Sequence, residues 1–325
     1  MLLKIAATLV ITASILATAS DSAQAQTPDW AKVSPEQITA AKELGVPVAF
    51  ENSVGMRFVL IPPGKFTMGS RDSMVEVAGK CNMPNAQPGW FYDEYPSHEV
   101  TITRPFYMSI HEVTQEVFQA IENTDPNKDK NRNRRHQRKP PQYPTGFEGK
   151  KLPVTMVSFE DGLKFCNLLA AKDKRKYVLP TEAQWEYACR AGAKGPFAFG
   201  ETISTEQANY NGNYTYAEGV KGENPRKPLP VGSLATNAWG LYDMHGNVRE
   251  WCSDRYGAYT SEPQTDPTGP TIGNERILRG GSWESYPGAI RSAFRINTHF
   301  HLRNFTTGLR ICSPVPEGEK EGEEK

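Results

Sequence analysis

Hydrophobic periodicity divides the chain into a patterned first half and an irregular second half. The segment MRFVLI at residues 56–61 is apolar, and Pro62, Pro63 and Gly64 follow it, which predicts a strand and a tight turn. Residues 65–69 predict the pairing strand, and residues 100–103 alternate like a further one. Residues 70–96, rich in Gly, Pro, Asn and Asp, read as one long loop. Helices are predicted where a capping residue precedes apolar positions at helical spacing. Ser34, with Pro35 and Gln37, opens a short one that Gly45 stops. Thr114 opens a second through Ile121, and Ser158 a third through Leu169. Thr181, with Gln184, opens a fourth that carries Trp185, Tyr187 and Ala188. After Gly192 the helical period ends, and residues 193–310 are short aromatic and β-branched runs between Gly, Asn and Pro. That predicts short strands in much loop, and an α+β domain overall, without internal repeats.

The ends of the chain change the picture. Residues 1–25 hold Lys4, a short apolar run and the small-residue pattern Ala23-Gln24-Ala25, which predicts a secretory signal peptide and a periplasmic or extracellular protein. The run is short for a membrane span, and no other stretch is apolar enough, so no span is expected after cleavage. An N-terminal helical segment at residues 26–50 then precedes a main domain at 51–313 and an acidic, disordered tail at 314–325. Charge is balanced, with 37 Lys and Arg against 37 Asp and Glu, so nothing global points to nucleic acid. Locally, NKDKNRNRRHQRK at residues 127–139 has seven basic residues and one acid. It reads as a solvated loop or as a contact for an acidic partner or anionic glycan.

Five cysteines remain for chemistry: Cys81, Cys166, Cys189, Cys252 and Cys312. The odd number leaves at least one free or paired between molecules, and the spacing is not that of a zinc site. Asp243 and Glu250 flank Gly246, so this stretch could offer calcium both carboxylates and backbone carbonyls. The spacing is not that of an EF-hand, and a turn with exposed acids is the alternative. His299 and His301 would face one side of a strand and could share a transition metal, but no third ligand is evident. The loop RGGSWESYPGAIRSAFR at residues 279–295 gathers glycines, Ser, Trp and Arg like a site, yet Glu284 is its single carboxylate and it has no Cys or His.

Five stretches in order carry a resemblance: GMRFVLIPPG (55–64), LPTEAQWEYA (179–188), GLYDMHGNVREW (240–251), RGGSW (279–283) and GLR (308–310). Through them the chain resembles the formylglycine-generating enzyme, or sulfatase-modifying factor, family over roughly residues 52–312. The resemblance implies a loop-rich α+β domain related to C-type lectins. The family's best-known activity converts a Cys of a sulfatase into formylglycine, using copper, oxygen and two active-site Cys. Counting forward from Gly281-Ser282 puts the first of these at Ser285, and counting back from Ala293-Phe294-Arg295 puts the second at Pro287. Neither side chain suits Cu(I), which favours thiolates, so a competent copper oxidase is not expected.

The same resemblance implies two structural calcium sets. One is Asp243 and Glu250 with the carbonyls of Gly246 and Val248; the other is Asn209 and Glu223 with the carbonyls of Tyr210 and Pro225. It makes a Cys166–Cys312 bridge plausible and leaves Cys189 facing Ser292 where a partner Cys would stand. Arg249 occupies a position that is usually Trp beside the substrate groove. The expected groove residues are Arg249, Ser282, Trp283, Arg295 and Arg310, with Arg to orient a carboxylate or carbonyl and Trp283 to pack on a side chain. For Arg295 and Arg310, burial beside acids is the alternative. The implied function is an exported oxidoreductase-type modifying enzyme acting on a peptide or small molecule. The alternative is a non-catalytic, calcium-braced binding module for a protein or glycan.

Overall fold

The computed structural model describes residues 27–126, 143–144 and 146–316. The signal-peptide reading, the basic stretch 127–139 and most of the acidic tail lie outside them. No helix among the described residues is long and apolar enough to cross a membrane.

The first half contains α1 (Pro35–Leu44), β1 (Ala49–Glu51), β2 (Arg57–Ile61), β3 (Gly64–Met68), α2 (Met74–Lys80), β4 (Cys81–Asn82), β5 (His98–Ile102), β6 (Phe106–Ser109), α3 (Gln115–Glu122), α4 (Phe159–Asp173) and α5 (Glu182–Arg190). The second half contains β7 (Thr215–Tyr216), β8 (Arg249–Arg255), β9 (Gln264–Thr265), β10 (Glu275–Arg279), β11 (Arg295–His299), β12 (Thr307–Gly308) and β13 (Cys312–Pro314). Among the described residues four sheets result, ordered β1-β2-β6-β13, β11-β10-β8-β12, β3-β5-β9 and β4-β7. This is the α+β, loop-rich architecture expected, with its helices early and its short strands late.

The four expected helices start at their caps. Ser34, Ser158 and Thr181 each close a reciprocal capping box, and Thr114 accepts from the Val117 N–H. The stretch 70–96, expected to be a single loop, instead holds α2, β4 and a 3₁₀ turn at Pro88–Glu94. The signal for α2 was a further capping box, Ser73 with Glu76, hidden among the surrounding turn residues.

The continuous apolar run in β2 reflects burial on both faces: Phe58, Val59, Leu60 and Ile61 are all fully buried between β1 and β6. Each such side chain contributes about 1.5–3 kcal/mol of burial. The N-terminal segment is part of this core. Gln37 is buried on α1, and its Nε2 donates to the Leu60 carbonyl at 2.8 Å. β1 adds the edge strand.

Buried ion pairs tie α5 to the second sheet. Glu182, Glu186 and Arg190 recur every four residues and so share one helix face. Glu186 meets Arg190 and Arg279, and Glu182 meets Arg295. Losing one member of such a pair strands the other charge at a cost of about 3–5 kcal/mol.

Candidate functional site

The loop between β10 and β11 folds back on itself. Gly280 and Gly281 have φ of 88° and 69°, the left-handed region that favours glycine. A Cβ on Gly281 would lie 2.5 Å from Ile290 Cγ2 and 2.6 Å from the Ala289 carbonyl oxygen, so the pair also permits close approach. Ser282 and Ser285 then lock together. The Ser285 Oγ accepts from the Ser282 N–H at 2.9 Å, and the Ser285 N–H donates to the Ser282 carbonyl at 2.9 Å. Pro287 opens a 3₁₀ turn through Ile290.

Beside this loop, β8 begins with Arg249. Its Nη1 donates to Thr306 Oγ1 at 2.6 Å and meets Glu284 at 3.4 Å, while its Nη2 reaches Ser285 Oγ at 3.5 Å. Burial pulls the Arg249 pKa below its usual value, and Glu284 opposes that. Trp283 is nearly buried and donates its backbone N–H to the Asn247 carbonyl, two residues before Arg249. Its ring meets Phe147 edge-on, with centroids 5.6 Å apart, and stacks on Phe305 at 6.0 Å. Phe305 is exposed, so an aromatic wall runs from solvent to the floor.

Three buried polar atoms here have no hydrogen-bond partner: Arg249 Nε, Trp283 Nε1 and Thr307 Oγ1. Thr307 faces Arg249 across the β12–β8 pairing. Buried donors of this kind are completed by an ordered water or by a bound group. Thus the structure brings Arg249, Ser282 and Trp283 together. Sequence reasoning missed Phe147, Phe305 and Thr306, whose apolar or hydroxyl side chains carry no chemical signature.

Arg295 and Arg310 do not join them. Arg295 is buried, with its Nε and Nη2 on the two Glu182 oxygens at 2.7 and 2.6 Å. Arg310 is fully buried on Glu250, Ser109 and Tyr242. Both guanidiniums are consumed in holding the fold, so their expected groove role is corrected.

All five cysteines are buried and unbonded. The positions matched to the family's Cys pair hold Ser285 and Pro287. Burial pushes the Cys81 thiol up to about 11 and those of Cys166 and Cys189 up to about 12, which favours the protonated thiol at neutral pH. The plausible Cys166–Cys312 bridge is not formed, although the two thiols are near enough for a charge on Cys166 to raise Cys312. Cys189 Sγ lies 3.5 Å from Ser292 Oγ, the pairing in which a second thiol is replaced by a hydroxyl.

His245 is likewise a satisfied core residue. Its Nε2 accepts from the Ala198 N–H at 3.0 Å, which leaves Nδ1 to donate to the Ile290 carbonyl at 2.7 Å. Burial lowers its pKa to about 4.

The two implied calcium sets differ. In the first, both Glu250 oxygens accept from Arg310 Nε at 3.0 Å, and Oε2 also accepts from Trp185 Nε1 at 2.6 Å. Asp243 accepts from the Gly232 N–H at 2.8 Å. Glu250 is therefore engaged elsewhere, and this set does not fit a cation as arranged. Burial and the neighbouring Glu250 push Asp243 up to about 6, opposed by Arg310, and burial with Asp243 raises Glu112 further.

In the second set, Asn209 is buried and its Oδ1 has no partner, while its Nδ2 donates to Asn247 Oδ1 and the Lys227 carbonyl. The Gly222 N–H donates to the Gly212 carbonyl, which brings residues 222–225 beside 209–212. An open amide oxygen together with a carboxylate and backbone carbonyls is the type of oxygen donor that calcium takes. No cluster of three or more His, Cys, Asp or Glu that could hold a metal exists among the described residues, His299 and His301 included.

Comparison with known proteins places this geometry. Residues 45–314 match the family model described as sulfatase-modifying factor enzyme 1-like domain. The chain is 31% identical over 271 residues to the serine/threonine-protein kinase pkn1 of Chlamydia caviae, covering 79% of this chain but only 38% of that protein. It is 28% identical over 286 residues to the formylglycine-generating enzyme of Mus musculus, covering 74% of this chain and 70% of that one. The solved structure of PvdO from Pseudomonas aeruginosa covers 82% of this chain and 98% of its own, with a TM-score of 0.63 and 28% identity.

Proposed function

Because the chain belongs to the sulfatase-modifying factor enzyme family, we propose that its loop 279–295 forms a recognition groove, which binds a peptide or glycan segment through hydrogen-bond acceptors and does not perform copper-dependent oxidation. The observation that carries this is the pair of buried, open donors at Arg249 Nε and Trp283 Nε1, beside the aromatic wall of Phe147 and Phe305. A carboxylate or carbonyl oxygen on the ligand completes both donors, and an adjoining apolar group packs on the exposed Phe305 ring. Glu284, at the rim, disfavours a second negative charge beside Arg249.

In this reading Ser285 is a framework residue. Its Oγ is occupied by the Ser282 N–H and the Arg249 guanidinium. Calcium, held by Asn209, Glu223 and the carbonyls of Tyr210 and Pro225, supplies cross-linking of two loops and no step of a reaction. Export to the periplasm or beyond belongs to the same proposal, on the strength of the leader-like pattern in residues 1–25. A modifying enzyme that uses other chemistry is the second outcome the test distinguishes.

The test uses a Cys-containing sulfatase-type peptide and its Cys→Ser counterpart. Calorimetry should detect both binding with similar affinity, and an oxygen electrode should record no uptake with copper present. Trp283→Phe, which keeps the ring packing and deletes the N–H, should weaken both peptides about tenfold. Oxygen uptake with conversion of the Cys peptide would overturn the reading, as would equal affinity of the Trp283→Phe variant.

A further inference from the structure

Two adjoining cavities of about 250 and 280 Å³ share Arg71, Arg190 and Lys194 in their walls; the larger also takes Arg291 and Ala293 from the far end of loop 279–295, and neither contains Arg249, Ser282 or Trp283. Together they reach the size of small-molecule sites, about 300–1,000 Å³. Tyr216 lines the larger one. It is fully buried, and its phenolic oxygen has no hydrogen-bond partner. Burial raises its pKa, with Asp72 adding to the rise and Arg291 opposing it, so the phenol keeps its proton. Tyr216 and Arg291 are both wall residues of this cavity, with the Arg291 guanidinium 6.0 Å from the Tyr216 ring centroid.

The wall divides its charges by use. Arg291 is held by Glu94 and the Gly288 carbonyl, and Arg190 by Glu186 and the carbonyls of Gly69 and Gly195. These two are structural. Arg71 and Lys194 are exposed at the rim, and Arg71 is bonded to a neutral group, Thr67 Oγ1, at 2.9 Å. Asp72, whose Oδ2 already accepts from Lys80 Nζ at 2.5 Å, and Glu201 add carboxylate oxygens to the same cavity. In the adjoining cavity Phe66 and Tyr187 contribute rings whose centroids are 5.3 Å apart. Cationic donors, carboxylate acceptors, an open buried hydroxyl and an aromatic pair thus line the two adjoining cavities. A polyhydroxylated ligand with a negative charge meets all four, whereas a purely apolar or purely cationic ligand meets one.

We infer that these cavities form a second binding site, for an acidic saccharide, with its carboxylate on Arg71 and Lys194, ring hydroxyls on Tyr216, Asp72 and Glu201, and an adjacent sugar face against Phe66 and Tyr187. The site uses none of Arg249, Trp283, Phe147 and Phe305, on which the groove reading rests.

Calorimetry on the full purified protein tests this with trigalacturonate, neutral maltotriose and inorganic phosphate. Trigalacturonate should bind, and maltotriose should bind at least tenfold more weakly. Tyr216→Phe should weaken trigalacturonate about tenfold, and the double variant Arg71→Gln, Lys194→Gln at least as much. Tyr216→Phe should melt no lower than wild type, since the deleted hydroxyl has no partner to lose. The rim pair, being exposed, controls for any folding defect in that variant. Arg249→Gln should leave trigalacturonate binding unchanged, which separates this site from the groove. No binding of trigalacturonate, equal binding of maltotriose, or wild-type affinity in both sets of variants would overturn the proposal. Phosphate binding as tightly as trigalacturonate would overturn the saccharide assignment and leave a simple anion site.

Discussion

Arg310 lays its guanidinium across both carboxylate oxygens of Glu250, with Nε 3.0 Å from each and Nη2 2.8 Å from Oε1, and both residues are fully buried. One member follows β12 and the other lies in β8, so the pair fastens the end of the chain to the middle of the sheet. Two residues expected in separate roles, a groove cation and a calcium ligand, are instead each other's counter-ion.

Breaking that pair should be costly. Arg310→Met or Glu250→Gln should each destabilise the protein by about 3–5 kcal/mol in denaturant unfolding, because each leaves one buried group uncompensated. Removing both, with Met at each position, should recover much of the loss. A single variant within 1 kcal/mol of wild type would refute the assignment.

Calcium should act through Asn209. Adding calcium to chelator-treated protein at about one hundred times its dissociation constant should stabilise it by about 2.7 kcal/mol, visible as a higher Tm. Asn209→Leu should abolish the calcium-dependent shift, whereas Asp243→Asn should leave it in place. The opposite pattern would move the cation to the Asp243 set.

His245 sets a pH dependence whose sign follows from its lowered pKa. Folded, it titrates at about 4, against an ordinary value of 6.5. Between these values the unfolded chain binds the extra proton, so stability is present above about 6.5 and is lost as pH falls toward 4. From pH 7 to pH 5 this group alone removes about 2 kcal/mol. Asp243 and Asp254, raised by burial to about 6 and 7, act in the other direction, gaining relative stability on acidification. The measurement is therefore a comparison of the pH 7-to-5 change in wild type and in His245→Gln. The variant should lack the acid loss, and an identical change in both would count against it.

Ser292→Cys should form a bridge to Cys189 on mild oxidation, since Cys189 Sγ already lies 3.5 Å from the Ser292 Oγ. Intact mass should fall by two hydrogens, and the closed loop of about one hundred residues should add up to about 4 kcal/mol of stability. Retention of two titratable thiols after oxidation would show the geometry to be unsuitable.

Fold class, four helices and β2 were legible because each has a local cause: a capping hydroxyl, or an apolar run buried on two faces. Helix α2 was not, since its Ser73–Glu76 box sits among residues that equally favour turns. The groove was partly legible. Arg249, Ser282 and Trp283 lie in recognisable stretches, but whether an Arg faces solvent or a buried acid depends on partners far along the chain. Arg295 meets Glu182, 113 positions away, and Arg310 meets Glu250, 60 positions away. No local pattern encodes such pairings. The open atoms at Arg249, Trp283, Asn209 and Tyr216 are likewise properties of assembled surroundings.

The way Gly281 brings the loop against Ile290 and Ala289 has a consequence for how the loop can vary. A Cβ at position 281 would lie 2.5 Å from Ile290 Cγ2 and 2.6 Å from the Ala289 carbonyl oxygen, so no larger residue fits without moving backbone. Ser285 faces the Ser282 amide, and Pro287 shapes a turn held at one end by His245 on Ile290. New side chains at 285 or 287 would therefore meet a loop already closed on its own backbone, and chemistry introduced there would have to reshape the loop as well as change its residues.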